Sequence, residues 1–136
     1  MATSSAPRGV FAPVATTLGD DGELALAAYR ANLERYAVSP LDGVVLLGSN
    51  GESALLDEDE KLRLIEAGTA AVGGRRVVMA GTGAESTRGT IALTKRAAAL
   101  DEIAAGRTAD TTEGTTARHE FDGFAVLVPA AGVAAA

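Results

Sequence analysis

Apolar and polar positions along the chain fall into two alternating rhythms. Residues 9–15, Gly-Val-Phe-Ala-Pro-Val-Ala, are a short apolar run that reads as a strand. Gly19-Asp-Asp-Gly22 follows as a turn. Leu26, Tyr29, Leu33 and Tyr36 then recur at spacings of three, four and three, which is one face of a helix. Ser39-Pro40 closes that helix, because the residue before a proline is pushed out of the helical region. Residues 43–47, Gly-Val-Val-Leu-Leu, are an unbroken apolar run ending at Gly48, the pattern of a strand buried on both faces of a parallel sheet. Asp57 with Glu60 three residues later predicts a capping box. The helix it opens would turn Leu62, Ile65, Thr69 and Val72 inward and end at Gly73-Gly74. Val77-Val-Met-Ala80 predicts a third strand running into Gly81-Thr82-Gly83. Ser86 would cap a third helix, with Ile91, Thr94 and Ala98 inward, continuing to about Leu100 or beyond.

Strand followed by helix three times over, with short connections, argues an α/β protein with a parallel sheet. Periodicity is equally compatible with an open sheet and a closed barrel. The rhythm then breaks. Residues 106–120 are threonine-rich and charged, have no large apolar residue and no period, and read as a loop or disordered insert. Phe124-Ala-Val-Leu-Val-Pro129 predicts a fourth strand, and residues 130–136 are a low-complexity tail with no polar handle. The expected organisation is a unit over 1–100, an atypical insert over 101–123, and the fourth strand and tail over 124–136.

Composition narrows the chemistry. The 136 residues are one domain by length, 47% hydrophobic and 22% charged, as in globular proteins. Aromatics are only 4%, so the core must be aliphatic. A net charge of −6 with no basic run longer than Arg75-Arg76 argues against a nucleic-acid partner. The absence of cysteine excludes disulfides, thiolate catalysis and Cys-ligated zinc. His119 is the single histidine, which excludes a multi-histidine metal site. No stretch approaches the roughly 18 apolar residues of a membrane span. The opening Met1–Arg8 lacks the apolar core of a signal peptide, so the cytoplasm is the expected location.

The segment richest in chemistry is Gly43-Val-Val-Leu-Leu-Gly48-Ser49-Asn50-Gly51-Glu52-Ser53. A buried strand delivers a turn of small residues to its C-terminal end, the edge where α/β proteins bind ligands. Gly48 and Gly51 would allow a sharp turn and a close backbone approach to a ligand. The Ser49 hydroxyl, with the backbone N–H groups of Ser49 and Asn50, is suited to a carboxylate. Glu52 reads either as a catalytic carboxylate or, preferably, as a side chain hydrogen-bonded to the loop backbone.

These residues resemble a known family. Gly48-Ser49-Asn50-Gly51-Glu52, with Glu60 at the matching distance, is similar to the Gly-Thr-Thr-Gly-Glu signature of the dihydrodipicolinate synthase and N-acetylneuraminate lyase family. Pro13 with Thr16-Thr17 resembles the family's Pro-x-x-Thr-Pro start. Ala80-Gly81-Thr82-Gly83 with Ser86-Thr87 resembles its third strand and loop, and Ala92-Leu93-Thr94 the middle of its third helix. The likeness runs over residues 9–100 in register. The Ser49-Asn50 pair departs from the commoner threonines and resembles the 4-hydroxy-2-oxoglutarate aldolase branch.

The resemblance implies a (β/α)8 TIM barrel, of which this chain would supply about (βα)3β of the N-terminal half. It implies a lyase or aldolase in which a sixth-strand lysine forms a Schiff base with pyruvate or a related 2-oxo acid, with no metal or organic cofactor. It further implies a homo-oligomer. Ser49 and Asn50 would bind the substrate carboxylate, Ser49 would relay a proton through a tyrosine, and Gly48, Gly51, Glu52, Gly81, Thr82 and Gly83 would shape the loops.

Such barrels run to about 250 residues, so the chain reads as a truncated member without the Schiff-base lysine and tyrosine. The break over 101–123 is what a retained intron, a frameshift or a redesign would produce. Lys61, in an acidic first turn, and Lys95, in mid-helix, are expected on solvated surfaces. The acidic run Asp57–Glu60 reads as a helix start complementing the dipole in preference to a cation site. Tyr29 and Tyr36 read as core, and His119 as a solvated loop residue.

Two alternatives stay open. Gly81-x-Gly83-x-x-Ser86 follows a strand and opens a helix as a dinucleotide fingerprint does, although Ser86 replaces the third glycine and Asp101 and Glu102 fall on a helix. A half-barrel with open sheet edges would also pair with a second copy or with a full-length homologue without any catalysis.

Overall fold

The computed structural model describes residues 8–104 and 124–127. Strands β1 (Phe11–Pro13), β2 (Gly43–Leu46) and β3 (Val77–Gly81) alternate with helices α1 (Leu26–Ala37), α2 (Glu58–Val72) and α3 (Thr87–Ala104). A last strand, β4 (Phe124–Leu127), completes a sheet of order β1-β2-β3-β4.

The three βα units expected from the sequence are present. β1 pairs parallel with β2, Ala12 against Val44, and β2 pairs parallel with β3, Val44 against Val78. β4 forms where a strand is expected but runs antiparallel to β3, with Phe124 opposite Gly81 and Leu127 opposite Val78. Four successive residues of low polarity carry no mark of strand direction, and either direction satisfies the ladder's hydrogen bonds. The span 105–123 is also long enough to reach either end of β3. α3 extends to Ala104, four residues into the segment read as an insert. The threonine-rich stretch, His119 and the alanine-rich tail lie outside the described residues.

Each connection closes as its residues dictate. At Gly19–Gly22 the Gly22 N–H donates to the Gly19 carbonyl at 2.9 Å, with Gly22 at φ 82°. The Ser39 hydroxyl donates to the Tyr36 carbonyl at 2.6 Å, just before Pro40. The capping box of α2 is complete: the Glu60 N–H donates to the Asp57 carboxylate at 2.8 Å, and the Asp57 N–H to the Glu60 carboxylate at 2.9 Å. Gly73, at φ 58°, ends α2 by donating to the Thr69 carbonyl. Ser86 caps α3, its hydroxyl accepting from the Gly89 N–H at 3.0 Å.

The core lies between the sheet and the helices. Val44, Leu46, Val78 and Ala80 join Tyr29, Leu33, Leu64, Ile65, Val72 and Ala97 in one buried cluster. The opposite face of the sheet is only partly covered: Phe11, Val45, Val77 and Met79 are half-buried and Pro13 is exposed. The apolar run over 43–47 predicts burial on both faces. Among the described residues the helices cover only one face, so Val45, pointing to the other, keeps part of its surface.

Two helix faces also differ from expectation. α2 buries Leu64, Ile65, Ala67, Gly68 and Val72, while Leu62 and Thr69 are half-buried at the margin. It packs against α1 on one side and α3 on the other, so its buried arc is wider than a single stripe. Gly68 sits directly over β2, and a Cβ there would meet Leu46 Cδ1 at 2.5 Å. In α3 the buried residues are Leu93 and Ala97, with Thr94 and Ala98 half-buried. Ile91 is 47% exposed, so the expected stripe is rotated.

Tyr29 is 1% exposed, and burial raises its phenol above the usual value near 10, so it stays neutral in the fold. The exposed pairing of Arg96 with Glu58 and Asp59 joins α2 to α3, and solvent screening leaves such contacts little net effect. The cap of α2 carries more. An Asp57→Ala variant should lose about 1 kcal/mol of stability, read as a lower urea midpoint with an unchanged denaturant slope.

Candidate functional site

The turn after β2 is built from conformations that its residues do not prefer. Leu47, the first residue past the strand, is buried and takes φ 57°. Gly48 is extended, at φ −75° and ψ −171°. Ser49–Gly51 form one turn of 3-10 helix, closed by the Gly51 N–H on the Gly48 carbonyl at 2.9 Å and the Glu52 N–H on the Ser49 carbonyl at 3.1 Å. Glu52 is again left-handed, at φ 53°, and Ser53–Leu55 make a second 3-10 turn leading to the cap of α2. A side-chain-bearing residue in the left-handed region costs roughly 1–2 kcal/mol. The loop therefore carries two such penalties, one on each side of the Gly48–Gly51 segment.

This revises the expected part of the glycines. Neither Gly48 nor Gly51 has a positive φ; Leu47 and Glu52 make the sharp bends. At Gly48 a Cβ would have room, 3.7 Å from the nearest side-chain atom of Val45. Gly51 is needed for close approach, since a Cβ would lie 3.3 Å from the Val14 carbonyl oxygen and 3.6 Å from the Thr16 hydroxyl. The Glu52 carboxylate is exposed and has no hydrogen-bond partner among the described residues. Its backbone shapes the loop instead, the carbonyl accepting from the Leu55 N–H at 2.9 Å.

Ser49 and Asn50 are both exposed and sit at the C-terminal end of β2, between the ends of β1 and β3. The turn's internal hydrogen bonds use the N–H groups of Gly51 and Glu52 and leave those of Ser49 and Asn50 outside the turn. On the β1 side, the Thr16 hydroxyl donates to the Gly51 carbonyl at 2.6 Å. On the β3 side, the Leu47 carbonyl lies against Gly81, where any Cβ would overlap it. Gly81 is thus required inside the sheet itself, which accounts for this glycine without a dinucleotide.

Thr82 is 1% exposed, the buried polar residue of the described chain. Its hydroxyl lies 2.8 Å from that of Thr94, which itself donates to the Thr90 carbonyl at 2.8 Å. A hydroxyl has one proton, so Thr82 is the donor to Thr94. Thr90 in turn accepts from the Ala84 N–H at 3.0 Å. This chain of threonines ties the loop containing Gly83 to α3. The apolar stripe expected of α3 includes Thr94, and neither Thr90 nor the Thr16 hydroxyl has a hydrogen-bonding role that the sequence pattern predicts. The visible signal is two threonines four apart on the buried side of α3.

Other candidates are not brought to the turn. Lys61 is half-buried in the first turn of α2 and Lys95 is exposed on α3. Tyr29 belongs to the core, with Tyr36 packed at its margin. Among the described residues no three acidic or histidine side chains converge as metal ligands, and no helix is long and apolar enough to cross a membrane.

The comparisons with known proteins agree on one family. The model of the dihydrodipicolinate synthetase family matches residues 6–104. A 4-hydroxy-tetrahydrodipicolinate synthase of Xanthomonas axonopodis pv. citri is 47% identical over 92 residues, covering 68% of this chain and 30% of the relative. The crystal structure of dihydrodipicolinate synthase from Agrobacterium tumefaciens superposes with a TM-score of 0.65 at 35% identity, over 69% of this chain and 32% of that one. The chloride-inhibited dihydrodipicolinate synthase of Acinetobacter baumannii, complexed with pyruvate, gives a TM-score of 0.65 at 28% identity, over 70% of this chain and 33% of that one. The chain spans about 30% of the length of the curated relatives it matches.

The strain in the turn is directly measurable. Glu52→Gly relieves a penalty of roughly 1–2 kcal/mol and adds an unfolded-chain entropy cost of roughly 0.5–1 kcal/mol. The variant should be more stable by up to about 1.5 kcal/mol, seen as a higher urea midpoint.

Proposed function

The chain belongs to the dihydrodipicolinate synthetase family and folds as part of a (β/α)8 barrel, and on that premise we propose that its Gly48–Glu52 turn binds the carboxylate of pyruvate or a related 2-oxo acid. Ser49 and Asn50 are the binding residues in this reading, and Gly48, Gly51, Glu52, Gly81, Thr82 and Gly83 hold the two loops around them. The observation that carries it is position: an exposed Ser-Asn pair on a strained turn, at the ends of three adjacent parallel strands. Backbone N–H groups and a hydroxyl suit a carboxylate because it only accepts hydrogen bonds. The pyruvate bound by the Acinetobacter baumannii enzyme supports the same ligand class.

The family reaction we infer makes or breaks a carbon–carbon bond next to a Schiff base. A neutral lysine amine attacks the 2-oxo carbon, water leaves, and the imine stabilises the adjacent carbanion. Such a lysine needs a desolvated position facing the substrate. Lys61 and Lys95 sit on helices α2 and α3, half-buried and exposed respectively, and not on a strand. The residues described here would therefore orient the acid, and neither of these amines forms the imine. The Ser49-Asn50 pair favours 4-hydroxy-2-oxoglutarate cleavage within the family, whereas the curated relatives carry the name 4-hydroxy-tetrahydrodipicolinate synthase.

A second reading follows from the half-buried sheet face of Phe11, Val45, Val77 and Met79 and from β1 at the edge of the sheet. Here the chain pairs with a second copy or a longer homologue and needs no catalysis.

Titrating the labelled chain with pyruvate should shift the Ser49 and Asn50 amide resonances. Ser49→Ala combined with Asn50→Ala, which keeps the backbone N–H groups but removes the side-chain donors, should raise the pyruvate concentration needed for the shifts. Borohydride treatment with pyruvate should leave the mass of the chain unchanged; a pyruvyl adduct on Lys61 or Lys95 would refute the assignment of those lysines. For the second reading, sedimentation of the chain alone should give a discrete dimer, and a monomer at all concentrations removes pairing with a second copy.

A further inference from the structure

We propose that Thr16 is a positioning residue for the 2-oxo-acid turn, acting through the carbonyl of Gly51. The inference rests on the ligand reading given above and adds a residue to it. Thr16 lies on the loop after β1, 35 residues away in sequence, and its hydroxyl donates to the Gly51 carbonyl at 2.6 Å. The same Gly51 is pressed against the Val14 carbonyl oxygen, with no comfortable room for a Cβ. The Gly51 N–H is already committed to Gly48. Both peptide planes of Gly51 are thereby fixed, one from inside the turn and one by Thr16.

The turn has reason to need an external hold. Leu47 and Glu52 are both left-handed, so the backbone on each side of the segment is away from its local minimum. The ladder between β1 and β2 ends at the Val14 N–H on the Val45 carbonyl, 2.9 Å long, before the turn begins. Past that point the Thr16 hydroxyl is the side-chain tie between the β1 loop and the turn. Releasing it lets the Gly51 carbonyl rotate and carries the neighbouring Ser49 and Asn50 with it. A binding group displaced by about 1 Å loses much of its effect on a small ligand.

The test compares the full chain with Thr16→Ser, which keeps the hydroxyl, and Thr16→Val, which keeps the shape. Two readouts are needed: the pyruvate dissociation constant from the Ser49 and Asn50 amide shifts, and the hydrogen exchange of the Gly51 and Glu52 amides. Thr16→Ser should match the parent chain in both. Thr16→Val should weaken pyruvate binding about fivefold, the effect of one neutral hydrogen bond. It should also speed exchange at Gly51 and Glu52 while amides in the middle of α2 keep their protection. Unchanged exchange at Gly51 and Glu52 in Thr16→Val overturns the inference, as does loss in both variants alike. If the parent chain binds no pyruvate, the ligand reading falls, and the exchange comparison alone decides whether Thr16 holds the turn.

Discussion

The end of β2 is wedged between its neighbours, backbone against backbone. On one side the Leu47 carbonyl occupies the space where a side chain at Gly81 would be. On the other the Val14 carbonyl stands 3.3 Å from the Cβ position of Gly51. These contacts leave the chain little choice of path as it leaves the strand. The sharp bend falls on Leu47, whose side chain is buried, and a second on Glu52, whose side chain is not. The candidate site is thus a consequence of strand packing: the turn that presents Ser49 and Asn50 is the path left between two adjacent strand ends.

What holds that arrangement in place lies behind the sheet. Burying a large aliphatic side chain contributes roughly 1.5–3 kcal/mol, and Leu33, Leu46, Leu64, Ile65 and Val72 are all fully buried between sheet and helices. The turn's two left-handed residues together cost about 2–4 kcal/mol, which a few such side chains offset. Gly68 lets α2 lie close on Leu46, and Gly43 lets the Phe11 ring lie over β2. Small residues at contact points and aliphatic ones around them keep β2 fixed. The strain can then be carried at the strand end without unfolding it.

The sequence made much of this readable. Four helix ends carry a local mark: Ser39-Pro40 at the end of α1, the Asp57–Glu60 box and Gly73 at the two ends of α2, and Ser86 at the start of α3, whereas α1 starts after Ala25 with no side-chain cap. The location of Ser49 and Asn50 at a strand end was readable too, because it follows from strand-turn-helix order. Which side of a helix is buried was less so. α2 is covered on two sides by neighbours, and the stripe of α3 is rotated away from Ile91 by the Thr82–Thr94 hydrogen bond and the packing of Leu93. Strand direction was not readable for β4, since Phe-Ala-Val-Leu fits either ladder. Long-range pairings such as Thr16 with Gly51 leave no periodic trace in the sequence.

The exposure of Ser49 and Asn50 constrains what the turn can contribute. Hydrogen bonds to a carboxylate in water replace bonds the carboxylate already makes to solvent, so their net effect is small. A 2-oxo acid also has few atoms through which to gain affinity. Such a turn is better suited to orientation than to tight binding. Orientation depends on rigidity, and rigidity is what the close strand contacts, the capped helix and the threonine ties provide. In the proposed reading the imine supplies the bond that holds the substrate, so weak but directional recognition of its acid end is sufficient. The distribution of order in this chain matches that need, with its strictest packing at the backbone around the turn and its exposed polar groups at the tip.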